Sequence, residues 1–245
     1  MTESTAPTTA PATTPSFWED VIDIFFSPAA VFQRRQNKSA WPAMLFVALS
    51  IGIIFFATFN TLSPIFEAEF QRNMAQATSR GGQSLTPEQL AKARDVGLTV
   101  TRYSITVIML ATMFVLGIVS WIVGKLVGSQ QTLHAALVVA GWAYMPRVIG
   151  AVLGGVQGLL MDPSKLTSQL ALSIGPARFF DAEATNPLLY QFLGRFDLIT
   201  IWVTILLAIG LYVTGKVSKP KAAIFGVLIW FVGSLPMLRQ GFLAM

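Results

Sequence analysis

Long apolar runs without a charged side chain are the feature that most constrains the fold of this chain. Residues 41–60, 198–215 and 222–238 contain no Asp, Glu, Lys or Arg. A helix needs about 20 apolar residues to cross the ~30 Å hydrocarbon core of a bilayer. Only 12% of the chain is charged, whereas soluble domains carry about 25%. The sequence therefore predicts an all-α polytopic membrane protein.

Two further apolar runs bring the expected number of transmembrane helices to five, at about 41–60, 103–125, 134–160, 198–215 and 222–238. Before the second span, Thr86-Pro87-Glu88-Gln89 has the pattern of an N-cap, a first-turn proline and a capping-box glutamine. Nothing then interrupts the helix until about Lys125, so we expect one long helix that begins outside the membrane. Residues 64–79 are predicted to form the other arm of an extracytoplasmic helical hairpin, with a break at 80–84.

The N-terminal region has two parts. Residues 1–16 are rich in Thr, Pro and Ala and are predicted to be a disordered tail, and 17–245 form the transmembrane domain. Residues 17–26 place apolar side chains at helical spacing, and Glu19, Asp20 and Asp23 are expected on the opposite side. This amphipathic helix either lies in the membrane interface or packs on the bundle. Pro28 ends it, and a second short helix leads to a basic cluster of Arg34, Arg35 and Lys38.

The connections after the third span carry further signals. Asp162-Pro163 and Asn186-Pro187 each combine a capping residue with a following proline, so each predicts the start of a short helix within 161–197. The turn at 216–221 is short and purely basic.

Orientation is predicted from the Lys and Arg residues in short connections. Seven of them lie in short segments on the side of the N-terminus: Arg34, Arg35, Lys38, Lys125, Lys216, Lys219 and Lys221. The opposite side has nine basic residues, but they are spread over long connections beside eight acids. We therefore expect a cytoplasmic N-terminus and an external C-terminus.

Arg147 is the one charged residue inside a predicted span, and a charge at that depth marks a functional site by default. Pro146 frees a backbone carbonyl, so it is expected to kink or open the helix. An arginine beside an unwound segment, with Tyr144 nearby, suits an anionic group. The alternative is a structural pair with an acid, for which Asp197 at the mouth of the fourth span is the candidate. Snorkelling of Arg147 toward water is a further option.

Gly150, Gly154 and Gly158 repeat at a spacing of four residues. Small residues at this period allow two helices to approach closely, so they predict packing within the bundle or between copies.

Residues that would support catalysis or cofactor binding are scarce. The chain has no cysteine and a single histidine, His134, so no metal site and no catalytic triad can be assembled. The glycine row lacks the Lys-Ser/Thr of a phosphate-binding loop. No basic groove with interleaved aromatics suggests nucleic-acid binding. We predict no enzymatic activity and no cofactor.

Three motifs carry a resemblance to a known family: Phe-Ser-Pro-Ala-Ala-Val-Phe at 26–32, Gly-Trp-Ala-Tyr-Met-Pro at 141–146, and Arg-Phe-Asp-Leu-Ile-Thr-Ile-Trp at 195–202, which leads into 207–211. The chain resembles the bacterial branch of the Yip-domain membrane proteins over roughly 17–240. Eukaryotic relatives are five-span proteins that associate with Rab GTPases in vesicle traffic. Their acidic Tyr-Gly-Pro motif is absent here, so the resemblance implies the fold and a location in a bacterial inner membrane rather than Rab binding.

Two functions from different classes follow. The first is a membrane organiser or adaptor that binds proteins or lipids. The second is a transporter or channel for a small anion or lipid headgroup, with its site near Arg147. Expected partners are the bilayer, anionic lipids, and a membrane-protein partner or second copy of the chain. A water-filled cavity that reaches Arg147 would favour transport.

Overall fold

A computed structural model describes residues 15–79, 81 and 85–243 of the chain, with side chains as far as Arg239. Within these residues the α-helices are α1 (Phe17–Phe26), α2 (Pro28–Arg35), α3 (Trp41–Ser79), α4 (Pro87–Leu126), α5 (Leu133–Ala143), α6 (Pro146–Leu160), α7 (Pro187–Gly194), α8 (Leu198–Gly215) and α9 (Lys219–Leu243). Residues 1–14 of the predicted tail and 80 and 82–84 of the predicted break lie outside the described part.

Five helical segments are long and apolar enough to cross a membrane: Trp41–Ser79, Pro87–Leu126, Leu133–Leu160, Leu198–Gly215 and Lys219–Arg239. The third combines α5 and α6. The predicted fold class, an all-α chain with five membrane-spanning helices, is confirmed. The last helix begins at Lys219, three residues before the predicted start of the fifth span at 222, so Lys219 and Lys221 of the basic turn belong to its first helical turn.

The first two long helices extend well beyond the length of a span. The predicted continuous helix from Pro87 is confirmed as α4, and the Thr86–Gln89 capping box is present. α3 continues without a break from Trp41 to Ser79, through Pro64. Pro64 has no N–H for the Asn60 carbonyl, and the Ser63 hydroxyl donates to that carbonyl instead at 2.8 Å.

Polar contacts fix the extensions of α3 and α4. Arg94 pairs with Glu67 across the two helices. Arg72 donates to the Thr167 carbonyl at 2.7 Å, and Glu69 accepts from the Gln169 side chain at 3.2 Å. The extension of α3 is therefore held both to α4 and to the connection that follows α6.

The α1–α2 pair packs on the bundle, where α2 contacts α8 and α5. Phe17 meets Trp142 at a ring-centroid distance of 5.5 Å, and Phe25 meets Trp202 at 5.4 Å. One face of α1 therefore packs on the bundle, which is one of the two interpretations of residues 17–26.

Asp20 and Asp23 share one side of α1, as expected, since both pair with Arg34, but this side faces α2 rather than water at Asp20. The Asp20 side chain is fully buried and pairs with Arg35 as well, whereas Asp23 stays 40% exposed. The helical periodicity of residues 17–26 could not predict the burial of Asp20, because the two arginines that pair with it come from α2.

One end of the bundle collects several helix ends. The backbone N–H of Gln130 donates to the Gly215 carbonyl at 2.9 Å, and His134 Nε2 lies 3.0 Å from the Lys38 carbonyl. The Lys125 ammonium donates to the Gln131 carbonyl at 3.1 Å. The ends of α4 and α8 and the starts of α3 and α5 therefore share one side.

Both short helices predicted between 161 and 197 are present. Asp162 caps the short 3₁₀ helix Pro163–Lys165, and the Ser164 hydroxyl and N–H that donate to its carboxylate lower the pKa of Asp162. Asn186 caps α7. α7 packs against α9, and the connection then returns to the start of α8.

Candidate functional site

The third span is interrupted immediately before Arg147. α5 ends at Ala143 and α6 begins at Pro146. The Trp142 carbonyl, which loses its usual donor to the proline, accepts from the Met145 N–H at 3.2 Å, and Arg147 N–H donates to the Tyr144 carbonyl at 2.9 Å. These tight turns replace the α-helical bonds at the interruption.

The Arg147 side chain, partly buried, points toward the beginning of α8. Its Nη2 donates to the Thr200 hydroxyl at 3.0 Å. The guanidinium carbon lies 5.9 Å from the centre of the Tyr144 ring, within the range of a cation–π contact.

Asp197 is buried and acts first as a helix cap. One carboxylate oxygen accepts from the Thr200 N–H at 3.1 Å, and the other accepts from the Ile174 N–H at 2.8 Å. Its nearest link to Arg147 is the hydroxyl of Thr200, 3.4 Å from the carboxylate. The structure therefore brings Arg147, Tyr144 and Asp197 together, with Thr200 between the arginine and the acid.

A second arginine belongs to the same cluster. Arg195 donates to the Ser234 hydroxyl at 2.8 Å and to the Trp230 carbonyl at 3.2 Å. Burial is the main cause of a lowered pKa at Arg195, and the positive charge of Arg147 lowers this pKa further. Two arginines and one acid give this region an excess positive charge. We call Arg147, Arg195, Asp197 and Thr200 the arginine cluster.

Sequence reasoning missed Thr200, Arg195 and the contribution of Ile174. Thr200 could have been found from the sequence. An Asp at a helix start accepts a hydrogen bond from the backbone N–H of the residue two or three positions later, and here the third residue is a threonine, whose hydroxyl can form a further hydrogen bond. Arg195 lies two residues before Asp197 in the same motif. Ile174 contributes through its backbone N–H, which no side-chain pattern could reveal.

The glycine row on α6 does not face a single neighbour. A Cβ on Gly150 would lie 3.2 Å from Ile199 of α8, and one on Gly158 would lie 2.4 Å from Leu62 of α3. A Cβ on Gly154 would have 4.0 Å to its nearest neighbour. Gly150 and Gly158 thus permit close approach to two different helices within the chain, and Gly154 has room for a side chain.

A separate concave surface lies between the α1–α2 turn, α8 and α9. This open groove has a volume of about 950 Å³ and we call it the α8–α9 groove. Its lining comprises Phe26, Ser27, Pro28, Ala29, Ala30, Thr204, Ile205, Ala208, Ile209, Tyr212, Lys219, Ala222, Ala223, Gly226, Val227 and Trp230. Arg147 and Tyr144 are not part of this lining.

The five long apolar helical segments, with the third interrupted, define an integral membrane protein. The family profile described as the Yip1 domain matches residues 22–238, so the chain belongs to the Yip1 domain family. It is similar to the membrane protein YknW of Bacillus subtilis (strain 168), with 25% identity over 221 residues that cover 86% of this chain and 87% of that protein. No solved structure matches the chain.

Proposed function

We propose that this Yip1-family protein is a non-enzymatic organiser or adaptor of the bacterial inner membrane that acts by binding lipids or proteins. The observation that carries the proposal is an apolar row on α1. Trp18, Ile22 and Phe26 are 64%, 60% and 82% exposed and follow one another at four-residue spacing. The opposite face of α1 fastens the helix to the bundle, so the row is held in a fixed place.

A fixed apolar row favours binding to another apolar surface. Exposed apolar patches mark interaction sites, and within a membrane such a row is covered either by lipid or by a partner protein.

The chemistry of the arginine cluster also supports binding rather than catalysis. The Asp197 carboxylate already accepts from two backbone N–H groups, one with each oxygen, so both of its oxygens serve the fold. The remaining groups near Arg147 are a hydroxyl and a phenol ring without an activating base.

Copurification from native membranes tests the proposal. The wild type is compared with a variant in which Trp18 and Ile22, which do not line the α8–α9 groove, are serine, and bound lipids and proteins are identified by mass spectrometry. Serine substitutions at Ile118 and Ile122, which are also exposed and have the same spacing, provide the control on α4. We expect the α1 variant alone to lose a specific set of partners. Equal retention by all three proteins would contradict the proposal.

The second candidate function is transport of a small anion or lipid headgroup, and the excess positive charge of the arginine cluster favours it. The interruption at Pro146 lies beside the cluster, as in transporters that bind substrate at broken helices. Anion flux into proteoliposomes discriminates the two. Flux that Arg147→Gln abolishes would establish transport, and its absence in the wild type would favour the organiser.

We propose that the N-terminus lies in the cytoplasm. The argument is the same count of Lys and Arg in short connections from which the sequence predicts the orientation. Lys38 and Lys125 lie at the end of the bundle where the α8–α9 turn also lies. This common side supports counting their charges together with those of the basic turn. Basic residues beside short connections stay in the cytoplasm.

A further inference from the structure

The α8–α9 groove has one polar end and one apolar end. Lys219 and Tyr212 line the end beside the basic turn. Phe26 and Trp230 line the other end, where the Trp230 indole N–H is already engaged by the Arg195 carbonyl at 3.1 Å. A molecule that fills the groove must therefore be polar at one end and apolar along most of its length.

The length of the groove corresponds to one leaflet. Lys219 and Trp230 are ~16 Å apart along α9, at the ~1.5 Å rise per residue of an α-helix. One leaflet contributes about half of the ~30 Å hydrocarbon core. An acyl chain that begins at the level of Lys219 would end near Trp230.

Small side chains create the space. Ala208 and Gly226 face each other on α8 and α9, since a Cβ on Gly226 would lie 3.3 Å from the Ala208 Cβ. Ala222 and Ala223 continue this lining along α9. The α1–α2 turn forms the third wall, and its position is fixed by the pairing of Asp20 with Arg34 and Arg35.

The charges near the groove favour an anionic group at the polar end of the bound molecule. The basic turn supplies Lys216, Lys219 and Lys221, and residues 198–245 contain no Asp or Glu. Tyr212 lies one turn of α8 before Gly215, where a phenol suits the headgroup level of a membrane. Basic sites between transmembrane helices bind anionic lipid headgroups.

We propose that the α8–α9 groove binds one anionic diacyl phospholipid from the leaflet that borders the basic turn. Its phosphate lies beside Lys219, and one acyl chain follows α9 toward Trp230. This inference deepens the proposed function because it names the lipid and its site. An adaptor that worked only through proteins would leave the proposed function intact and this inference wrong.

Native mass spectrometry of the purified full-length protein tests the inference. The protein is incubated with equal amounts of phosphatidylglycerol and phosphatidylcholine that carry the same acyl chains. One basic residue near an anionic headgroup gains about fivefold in affinity, so we expect the wild type to retain one phosphatidylglycerol with at least that preference. Lys219→Gln should remove the preference, and Ala223→Phe should reduce retention of both lipids.

Two matched variants control for general effects. Lys221 belongs to the same turn but points toward Gly128, whose added Cβ would lie 3.5 Å from the lysine Nζ. Lys221→Gln should therefore keep the lipid preference. Ala111 is exposed on α4 and is not part of the groove lining, so Ala111→Phe adds the same bulk as Ala223→Phe and should keep the lipid.

Several results would overturn the inference. These are equal retention of the two lipids by the wild type, equal effects of Lys219→Gln and Lys221→Gln, and full retention by Ala223→Phe. A second copy of the chain or another protein held in the groove would also overturn it. If the phospholipid is not retained but the serine variant of α1 still loses its partners, the groove assignment fails and the organiser function stands.

Discussion

Arg147 and Thr200 join the interrupted third span to the first turn of α8, through a hydrogen bond of 3.0 Å from the guanidinium to the hydroxyl. The bond places the middle of one span beside the start of the next. Since α6 continues ~20 Å beyond Arg147 at ~1.5 Å per residue, the connection from 161 to 197 must return that distance before α8 begins.

A double-mutant cycle on this pair measures its contribution to stability. Arg147→Gln and Thr200→Val each remove one partner, and their effects on the free energy of unfolding should be coupled by about 0.6–1.7 kcal/mol, as for other hydrogen bonds between membrane helices. Thermal unfolding in detergent provides the comparison. Thr204→Val is the control, because its hydroxyl bonds its own helix at the Thr200 carbonyl; it should show no coupling to Arg147→Gln. Additive effects for Thr200→Val would contradict the prediction.

The sequence predicts the helices of this fold well, because apolar runs and caps are local signals. The cap at Thr86, the uninterrupted α4 and the bounds of α8 follow directly from such signals. The continuation of α3 through Pro64 was less evident. It depends on a side-chain hydrogen bond from Ser63 that stabilises a carbonyl left free by the proline.

The candidate site could be predicted only in part, because its other members come from distant segments. Arg147 was evident as a charge within an apolar run. Its link to Asp197 passes through Thr200, and Ile174 contributes a backbone N–H from the 161–197 connection. The burial of Asp20 escaped prediction for the same reason, since helix periodicity describes one helix and not the arginines that another supplies.

Asp20 should be far more sensitive to substitution than Asp23. Asp20→Asn leaves Arg35 without its carboxylate partner and Arg34 with Asp23 alone, and the loss of one partner of a buried pair costs up to about 3–5 kcal/mol. Asp23→Asn removes a partly exposed pair from an arginine that keeps Asp20, and it should cost no more than about 1 kcal/mol. Thermal unfolding of the two variants checks the difference. Similar midpoints would show that Asp20 is not a buried anchor of the α1–α2 pair.

Gly175 is predicted to be essential for the position of Asp197. A Cβ at this residue would lie 2.8 Å from the Phe196 carbonyl oxygen and 3.0 Å from the Asp197 Cα, and backbone atoms cannot rotate away as a side chain can. Gly175→Ala should therefore lower the unfolding midpoint.

Gly154→Ala is the matched control for that substitution. It meets only Leu172 at 4.0 Å and replaces glycine within a helix, which can stabilise by up to about 1 kcal/mol. The opposite ranking of the two alanine variants would show that the connection does not pack on the start of α8 as described.

Single cysteines can establish the orientation, because the natural chain has none. Ala184 lies in the 161–197 connection and Ser218 in the basic turn, and both are exposed. With the N-terminus inside, an impermeant thiol reagent should label Ala184→Cys in intact cells and leave Ser218→Cys unlabelled, because the positive turn remains in the cytoplasm. Labelling of Ser218→Cys after the membrane is permeabilised confirms that its thiol is accessible. Labelling of Ser218→Cys in intact cells would reverse the orientation and place the proposed phospholipid in the outer leaflet.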